Sequence, residues 1–329
     1  MAQAFLIYWN RRFLHIPATR LILALAIAVT IALAACTGAT STPQSTPKPK
    51  LVIAVQPTGN PQSLQADSQE IERFLEARVN ADVEMIFPTL FAGVIESLRF
   101  GFADAAFMSA WPAALAQEYA GASVALAEIR DVVIGQEKQE QPYYYSYWVV
   151  LKDSPYTSLE DLRGKKVAFS SQLSTSGYVF PLARLIEKGL VDGSAAQPDA
   201  KSFFGEVLFA GGYAQAWEAL KKGQVDVAII AGDVSETLYR EVLDGTKVID
   251  QQGPIPSHAV IFSKDLEEPL RSELQAAFLE LGKPENKALM RKFISGIFVR
   301  FEISDNEKHL AVLTNALNTT KLGFTETLR

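Results

Sequence analysis

From residue 51 onward, short all-apolar runs alternate with longer stretches whose apolar positions recur every three or four residues. Leu51-Val52-Ile53-Ala54-Val55 is the first such run and predicts a buried strand. A loop with Pro57, Gly59, Asn60 and Pro61 follows, then a helix around Ser68 to Arg78 and a strand at Asp82 to Phe87. Val94 to Phe107 reads as an amphipathic helix, a stop at Gly101, a turn at Asp104 and a strand. The second half repeats this grammar. Lys166-Val167-Ala168-Phe169 predicts a strand, followed by a Ser-rich loop and a helix from about Tyr178 to Lys188. Ala216 to Ile229 again gives helix, Gly223, two residues, Asp226 and strand. Two further segments match each other, Tyr147 to Ser154 and His258 to Asp265. Both are expected to be strands that cross between lobes, with the chain leaving the first lobe near Tyr147 and returning near Pro256.

The expected fold is α/β, with two similar α/β lobes joined by two crossing strands. Strands alternating with helices favour parallel sheets covered on both faces. Residues 51–146 plus 256–329 make lobe 1 in this reading, and 147–255 make lobe 2. Ligands of open α/β sheets sit outside the carboxyl ends of the strands. With two lobes face to face, that place is the interlobe cleft, and hinge closure on a ligand is the expected motion.

The N-terminus reads as an address. Arg11, Arg12 and Arg20 precede the apolar run Leu21 to Ala35, which is shorter than the ~20 residues that span a bilayer. It ends in small residues, as an export leader does. Leu33-Ala34-Ala35-Cys36 resembles a bacterial lipobox. Residues 1–36 are therefore expected to be a lipoprotein signal peptide with lipidation at Cys36, a short uncleaved anchor being the alternative. Either way the remainder lies outside the cytoplasm, as a periplasmic or cell-surface protein held to the membrane. Residues 37–50, rich in Thr, Ser and Pro, read as a flexible tether.

Composition narrows the function classes. With 48% hydrophobic and 21% charged residues, a packed core is expected. A net charge of −6 argues against a nucleic-acid binder, which needs a basic stripe. A single cysteine, Cys36, excludes an intrachain disulfide, a redox pair and a thiolate zinc site. No cluster of residues at ligand spacing suggests a metal, and no cofactor is expected. No G-x-S-x-G elbow frames a serine, so an enzyme is not expected.

The sharpest local chemistry is Ser174-Thr175-Ser176-Gly177-Tyr178, after a strand and at the start of a helix. Its three hydroxyls and the free N–H groups of a helix start can donate to an anion. The helix dipole adds to this without Arg or Lys. Gly177 permits close backbone approach, and Pro181 suits a first turn. A plain helix cap is the competing reading. The run Tyr143-Tyr144-Tyr145-Ser146-Tyr147-Trp148 is either hinge and core packing or a cleft wall that supplies a tyrosine hydroxyl. Trp111 has the same two readings.

The order of these elements, from the lipobox and first strand to Arg99-Phe100-Gly101 with Asp104, Ser174-Thr175-Ser176-Gly177, Gln224-Val225-Asp226-Val227-Ala228 and Ile255-Pro256, resembles the phosphonate/phosphite-binding proteins of ABC importers. The likeness covers about residues 51 to 300. It implies a type II periplasmic binding fold and a small phosphorus oxyanion (phosphonate, phosphite or phosphate) handed to an ABC permease and its ATPase. It also implies that Ser174, Thr175 and Ser176 hold the phosphorus-bound oxygens. Family tyrosines fall at Phe91 and near Met108-Ser109, and a family histidine falls at Tyr213. An acid that reads a ligand amine falls at Asp233, while a second acid is replaced by His258. These departures argue against an aminoalkylphosphonate. Asp233 can instead accept a hydrogen bond from a protonated ligand oxygen and repel sulfate, or it can cap the helix Val234 to Leu243. His258 can be a neutral donor, a charged partner of Asp233, or a solvent-facing strand residue. A monomer is expected. Alternatives are a binder of a sulfonate, nitrate or thiamine-pathway compound, or a module presenting ligand to a sensor.

Overall fold

The computed structural model describes residues 48–322 apart from 57–60, 135–136 and 294–295. The expected leader, Cys36 and most of the tether lie outside the described residues. The first strand, β1 (Lys50–Val55), already pairs with β2 (Asp82–Ile86) at Lys50, so the expected tether ends one residue early.

Two sheets carry the strands. The first has β1 and β2 with β3 (Ala105–Met108), β4 (Ser123–Ile134), β5 (Glu137–Gln141), β11 (Ala259–Phe262) and β12 (Phe298–Ile303). Its order is β12-β4-β11-β3-β1-β2, with β5 also on β4. The second contains β6 (Tyr143–Leu151), β7 (Lys166–Phe169), β8 (Glu206–Phe209), β9 (Val227–Ala231) and β10 (Thr246–Pro256) in the order β10-β6-β9-β7-β8. The parallel pairing that the strand–helix alternation favours is found in β3-β1-β2 and β9-β7-β8. Every other pair among the described residues is antiparallel.

The internal repeat has a physical cause. Asp104 accepts the Val52 N–H at 2.8 Å, and its own N–H goes back to the Val52 carbonyl at 2.8 Å. Asp226 does the same with Lys166, at 2.8 and 2.9 Å. Before each aspartate, Gly101 (φ 71°) and Gly223 (φ 68°) end the helices α2 (Phe91–Arg99) and α5 (Tyr213–Lys221) in the left-handed region. Each aspartate thus starts the third strand of its half beside the first.

The two matching segments occupy equivalent places. β11 runs antiparallel beside β3, and β6 runs antiparallel beside β9. Neither segment spans the two sheets as expected. Ala259-Val260-Ile261-Phe262 is buried on both faces, which suits an interior strand between β3 and β4. The chain passes between sheets at Pro142, before β6, and at Ser257, after β10, where the Ser257 N–H donates to the Pro142 carbonyl at 3.0 Å.

Further helices are α1 (Pro61–Glu76), α3 (Ala110–Ala120), α4 (Phe180–Glu187), α6 (Glu236–Gly245), α7 (Leu270–Leu281), α8 (Lys287–Phe293) and α9 (Asn306–Thr320). Leu310, Leu313 and Ala316 of α9 share one buried cluster with Ala113 and Ala116 of α3 and with Phe180 and Ala183 of α4. Helix α9 therefore ties the two sheets' helices together. Behind the second sheet's carboxyl edge, fully buried Phe169 meets Trp148, Tyr178 and Phe209 at ring-centroid distances of 6.1, 5.1 and 5.9 Å. One such ring contributes about 1.5–3 kcal/mol by burial, and Tyr178 anchors the serine-rich turn that precedes it.

Candidate functional site

A cavity of about 850 Å3 lies between the carboxyl ends of the two sheets. Ser174, Thr175, Ser176, Tyr213, Asp233, His258, Ser109 and Phe91 all line it. Gly177 sits directly behind the lining.

The serine-rich turn forms one wall. Ser174 is extended (φ −81°, ψ 123°), and its Oγ accepts the Gly177 N–H at 2.9 Å. Thr175–Val179 then make a single π-type turn that feeds α4, so helical structure begins three residues before Tyr178. Such turns widen the helix and favour functional sites. Gly177 is needed because a Cβ there would lie 1.8 Å from Ser170 Oγ. Its N–H, expected to be free, is consumed by Ser174. No described hydrogen bond uses the N–H groups of Thr175 and Ser176. Ser170 Oγ is buried beside this glycine.

Two phenols reach this turn from other elements. Tyr213 OH lies 2.6 Å from Ser176 Oγ and 3.3 Å from Ser174 Oγ, and Tyr144 OH lies 2.8 Å from Ser176 Oγ. Burial, with the charge of Asp233, pushes the Tyr213 hydroxyl up to about 12 and raises that of Tyr144. Both stay protonated at neutral pH and remain donors. Three hydroxyl hydrogens serve the two short contacts at Ser176, so one is left for a ligand oxygen.

The opposite wall is the start of α3. Gln56 Oε1 accepts from Ser109 N at 2.8 Å and Ser109 Oγ at 3.0 Å. At the buried edge of the cavity the Trp111 N–H donates to Thr175 Oγ1 at 3.1 Å. Its oxygen thereby satisfies an orphan donor of α3. Two helix starts thus face each other, and both favour negative charge between them. The Trp111 side chain is core, 3% exposed. Within the aromatic run, Tyr144 faces the cavity, Tyr147 donates to the Val133 carbonyl at 2.8 Å, and Trp148 is core.

The fourth side is ionic. Arg130 Nη1 donates to Asp233 Oδ2, and Arg130 Nη2 donates to His258 Nδ1. Nη2 also lies 2.7 Å from Glu128 Oε2, a charge contact that is out of line for a hydrogen bond. Arg130 and Glu128 are almost fully buried, at 3% and 0% exposure. Burial raises both carboxyls against the pull of Arg130. Burial, with the Arg130 charge beside it, holds His258 well below its usual range. His258 is therefore neutral, accepts at Nδ1, and is not the charged partner of Asp233, a place that Arg130 takes. Asp233 is not a helix cap either: Ser235 caps α6, its Oγ accepting the Leu238 N–H at 3.4 Å.

Sequence reasoning missed Arg130, Glu128, Gln56 and Ser170. Glu128 and Arg130, two apart in the apolar strand Ser123–Ile134, carry the legible signal, since buried charges require partners. Among the described residues, no group of three His, Cys, Asp or Glu could hold a metal ion.

Known proteins match this architecture. The family model for the periplasmic phosphonate substrate-binding protein of ABC transporters matches residues 53–308. The phosphate-import protein PhnD of Mycolicibacterium smegmatis is 32% identical over 197 residues, covering 58% of this chain and 59% of that protein. The phosphonates-binding periplasmic protein of Escherichia coli is 29% identical over 232 residues, covering 68% and 63%. The chain thus spans about three fifths of the length of these curated relatives. A binding protein component of an ABC phosphonate transporter from Pseudomonas aeruginosa shares the fold, with a TM-score of 0.67, 22% identity and coverage of 83% and 87%. With a match over most of its length and the two-sheet cleft fold, the chain belongs to the periplasmic phosphonate substrate-binding protein family of ABC transporters.

Proposed function

We propose that this protein captures a small phosphorus oxyanion (a phosphonate, phosphite or phosphate) outside the cytoplasm and delivers it to an ABC permease. The observation that carries this reading is the pair of opposed helix starts, with hydroxyls of Ser174, Ser176, Tyr144 and Tyr213 converging between them. A tetrahedral anion placed there meets hydroxyls of the second sheet's half, with the positive end of α3 opposite. Hydrogen bonds to a charged group contribute about 1.5–3 kcal/mol each, so three near the upper end reach the roughly 8 kcal/mol of micromolar binding. The names of the two relatives, one a phosphate importer and one a phosphonate binder, point to the same tetrahedral phosphorus group.

In this reading the two sheets with their helices are lobes that close about Pro142 and Ser257, which moves the expected boundaries at 146/147 and 255/256 to the start of β6 and the end of β10. Ser174, Thr175, Ser176 and Tyr213 hold ligand oxygens, with Ser109 and Phe91 opposite and Gly177 allowing the close approach. Asp233 accepts from a protonated ligand oxygen, which sulfate lacks at neutral pH. The lipobox sequence supports a lipid anchor at Cys36, and incorporation of labelled fatty acid at that residue in a competent host tests it. The main test is calorimetry across phosphite, methylphosphonate, phosphate, sulfate and an alkylsulfonate. Tightest binding by a phosphorus ligand is expected; silence from all three beside a bound sulfonate overturns the reading.

A further inference from the structure

Glu128 and Asp233 bring two buried carboxylates to one side of the cavity, and a single guanidinium stands between them. Arg130 Nη1 is hydrogen-bonded to Asp233 and Nη2 lies 2.7 Å from Glu128. Arg130, Asp233 and His258 face the cavity, whereas fully buried Glu128 lies behind Arg130. The charge of Glu128 is thus engaged by Arg130 alone. Asp233 in turn lines the same cavity as Tyr144 and Tyr213, the phenols that contact Ser176. An oxyanion seated on the serine-rich turn would therefore point its substituent toward this ionic cluster.

Without Arg130, a pair of carboxylates beside an oxyanion site would recognise an ammonium one or two carbons from phosphorus. With Arg130 the place is filled by a cation that cannot leave, since its backbone is in the middle of β4. A guanidinium keeps its charge at every physiological pH. A ligand ammonium would meet that like charge and find both carboxylates engaged. We propose that Arg130 is a specificity-determining residue, a tethered cation that makes the site accept phosphonates with uncharged substituents and reject aminoalkylphosphonates.

The inference rests on the phosphorus-oxyanion reading, and a matched ligand pair separates the two. Ethylphosphonate and 2-aminoethylphosphonate differ only by the ammonium. Calorimetry on the full chain should show the amine binding about 100-fold more weakly or worse, the cost of an unrelieved like-charge contact. In Arg130→Met, which vacates the place at similar volume, that ratio should fall by about ten-fold or more. If Arg130→Met does not fold because Glu128 is stranded, Arg130→Met/Glu128→Gln removes the buried pair together and keeps Asp233 for the ammonium, with the same fall expected. Equal affinities in the unmodified chain, or an unchanged ratio in the folded variant, would overturn the role of Arg130 and leave the oxyanion site standing. Silence from both ligands in the unmodified chain would overturn the oxyanion reading, and this inference with it.

Discussion

Ser176 is the residue on which most of the oxyanion wall converges, because two phenols from distant elements meet its hydroxyl. Ser176→Ala should weaken ligand binding by ~1–3 kcal/mol, read by calorimetry. Thr175 differs, since its oxygen also holds the Trp111 N–H. Thr175→Ser keeps that oxygen and should bind nearly as the parent does, whereas Thr175→Ala should lose a comparable amount. Gly177→Ala drives a methyl against the Ser170 side chain, with Cβ 1.8 Å from Oγ and 2.9 Å from Ser170 Cβ. It should lower stability by about 1–3 kcal/mol through overpacking, measured by denaturant unfolding. Unchanged affinity in both alanine variants would remove the turn from the site. The Ser174–Gly177 motif was legible because local chain order alone sets its chemistry. For Arg130 only its burial in an apolar strand beside Glu128 was legible; its role was not, because its partners Asp233 and His258 lie 103 and 128 residues further along the chain.

At the scale of elements, the repeated helix, glycine and aspartate are what made the two halves readable. The reason is now specific: each aspartate clamps the first strand of its half through a backbone N–H. The two clamps are not equal. The Asp104 bond to Val52 is partly buried, while the Asp226 bond to Lys166 is exposed, where water can replace a lost acceptor. Asp104→Ala should therefore cost about 1–3 kcal/mol of stability and Asp226→Ala less, as compared by urea unfolding. Equal losses would show that the clamp does not work by desolvation. Boundaries were less legible than types. Helical structure at the serine-rich turn starts at Thr175 instead of Tyr178, because Ser174 caps Gly177 and a π-type turn fills the interval. The antiparallel strands were also hidden, since a short apolar run reads the same in either direction.

At the scale of the molecule, bonds bridge the two sheets around the cavity as well as at its base. Arg130 to Asp233, and Trp111 to Thr175, join the first sheet's side to the second's. At the base, His309 of α9 donates Nε2–H to the Ser257 carbonyl at 3.0 Å, and burial holds its ring at about 4, so it is neutral at physiological pH. The bilobal plan was legible because the repeat implied it. Where the chain passes between sheets was not, since Pro142 and Ser257 carry no periodic signal and are fixed by their mutual hydrogen bond. The central claim is that an oxyanion sits between the two facing helix starts, and a crystal structure of the protein grown with methylphosphonate tests it most directly. The account predicts phosphonate oxygens within hydrogen-bonding distance of Ser174 or Ser176 Oγ and of the Thr175 or Ser176 N–H, with the methyl group toward Arg130. Phosphonate density elsewhere, with the serine-rich turn left unoccupied, would contradict it.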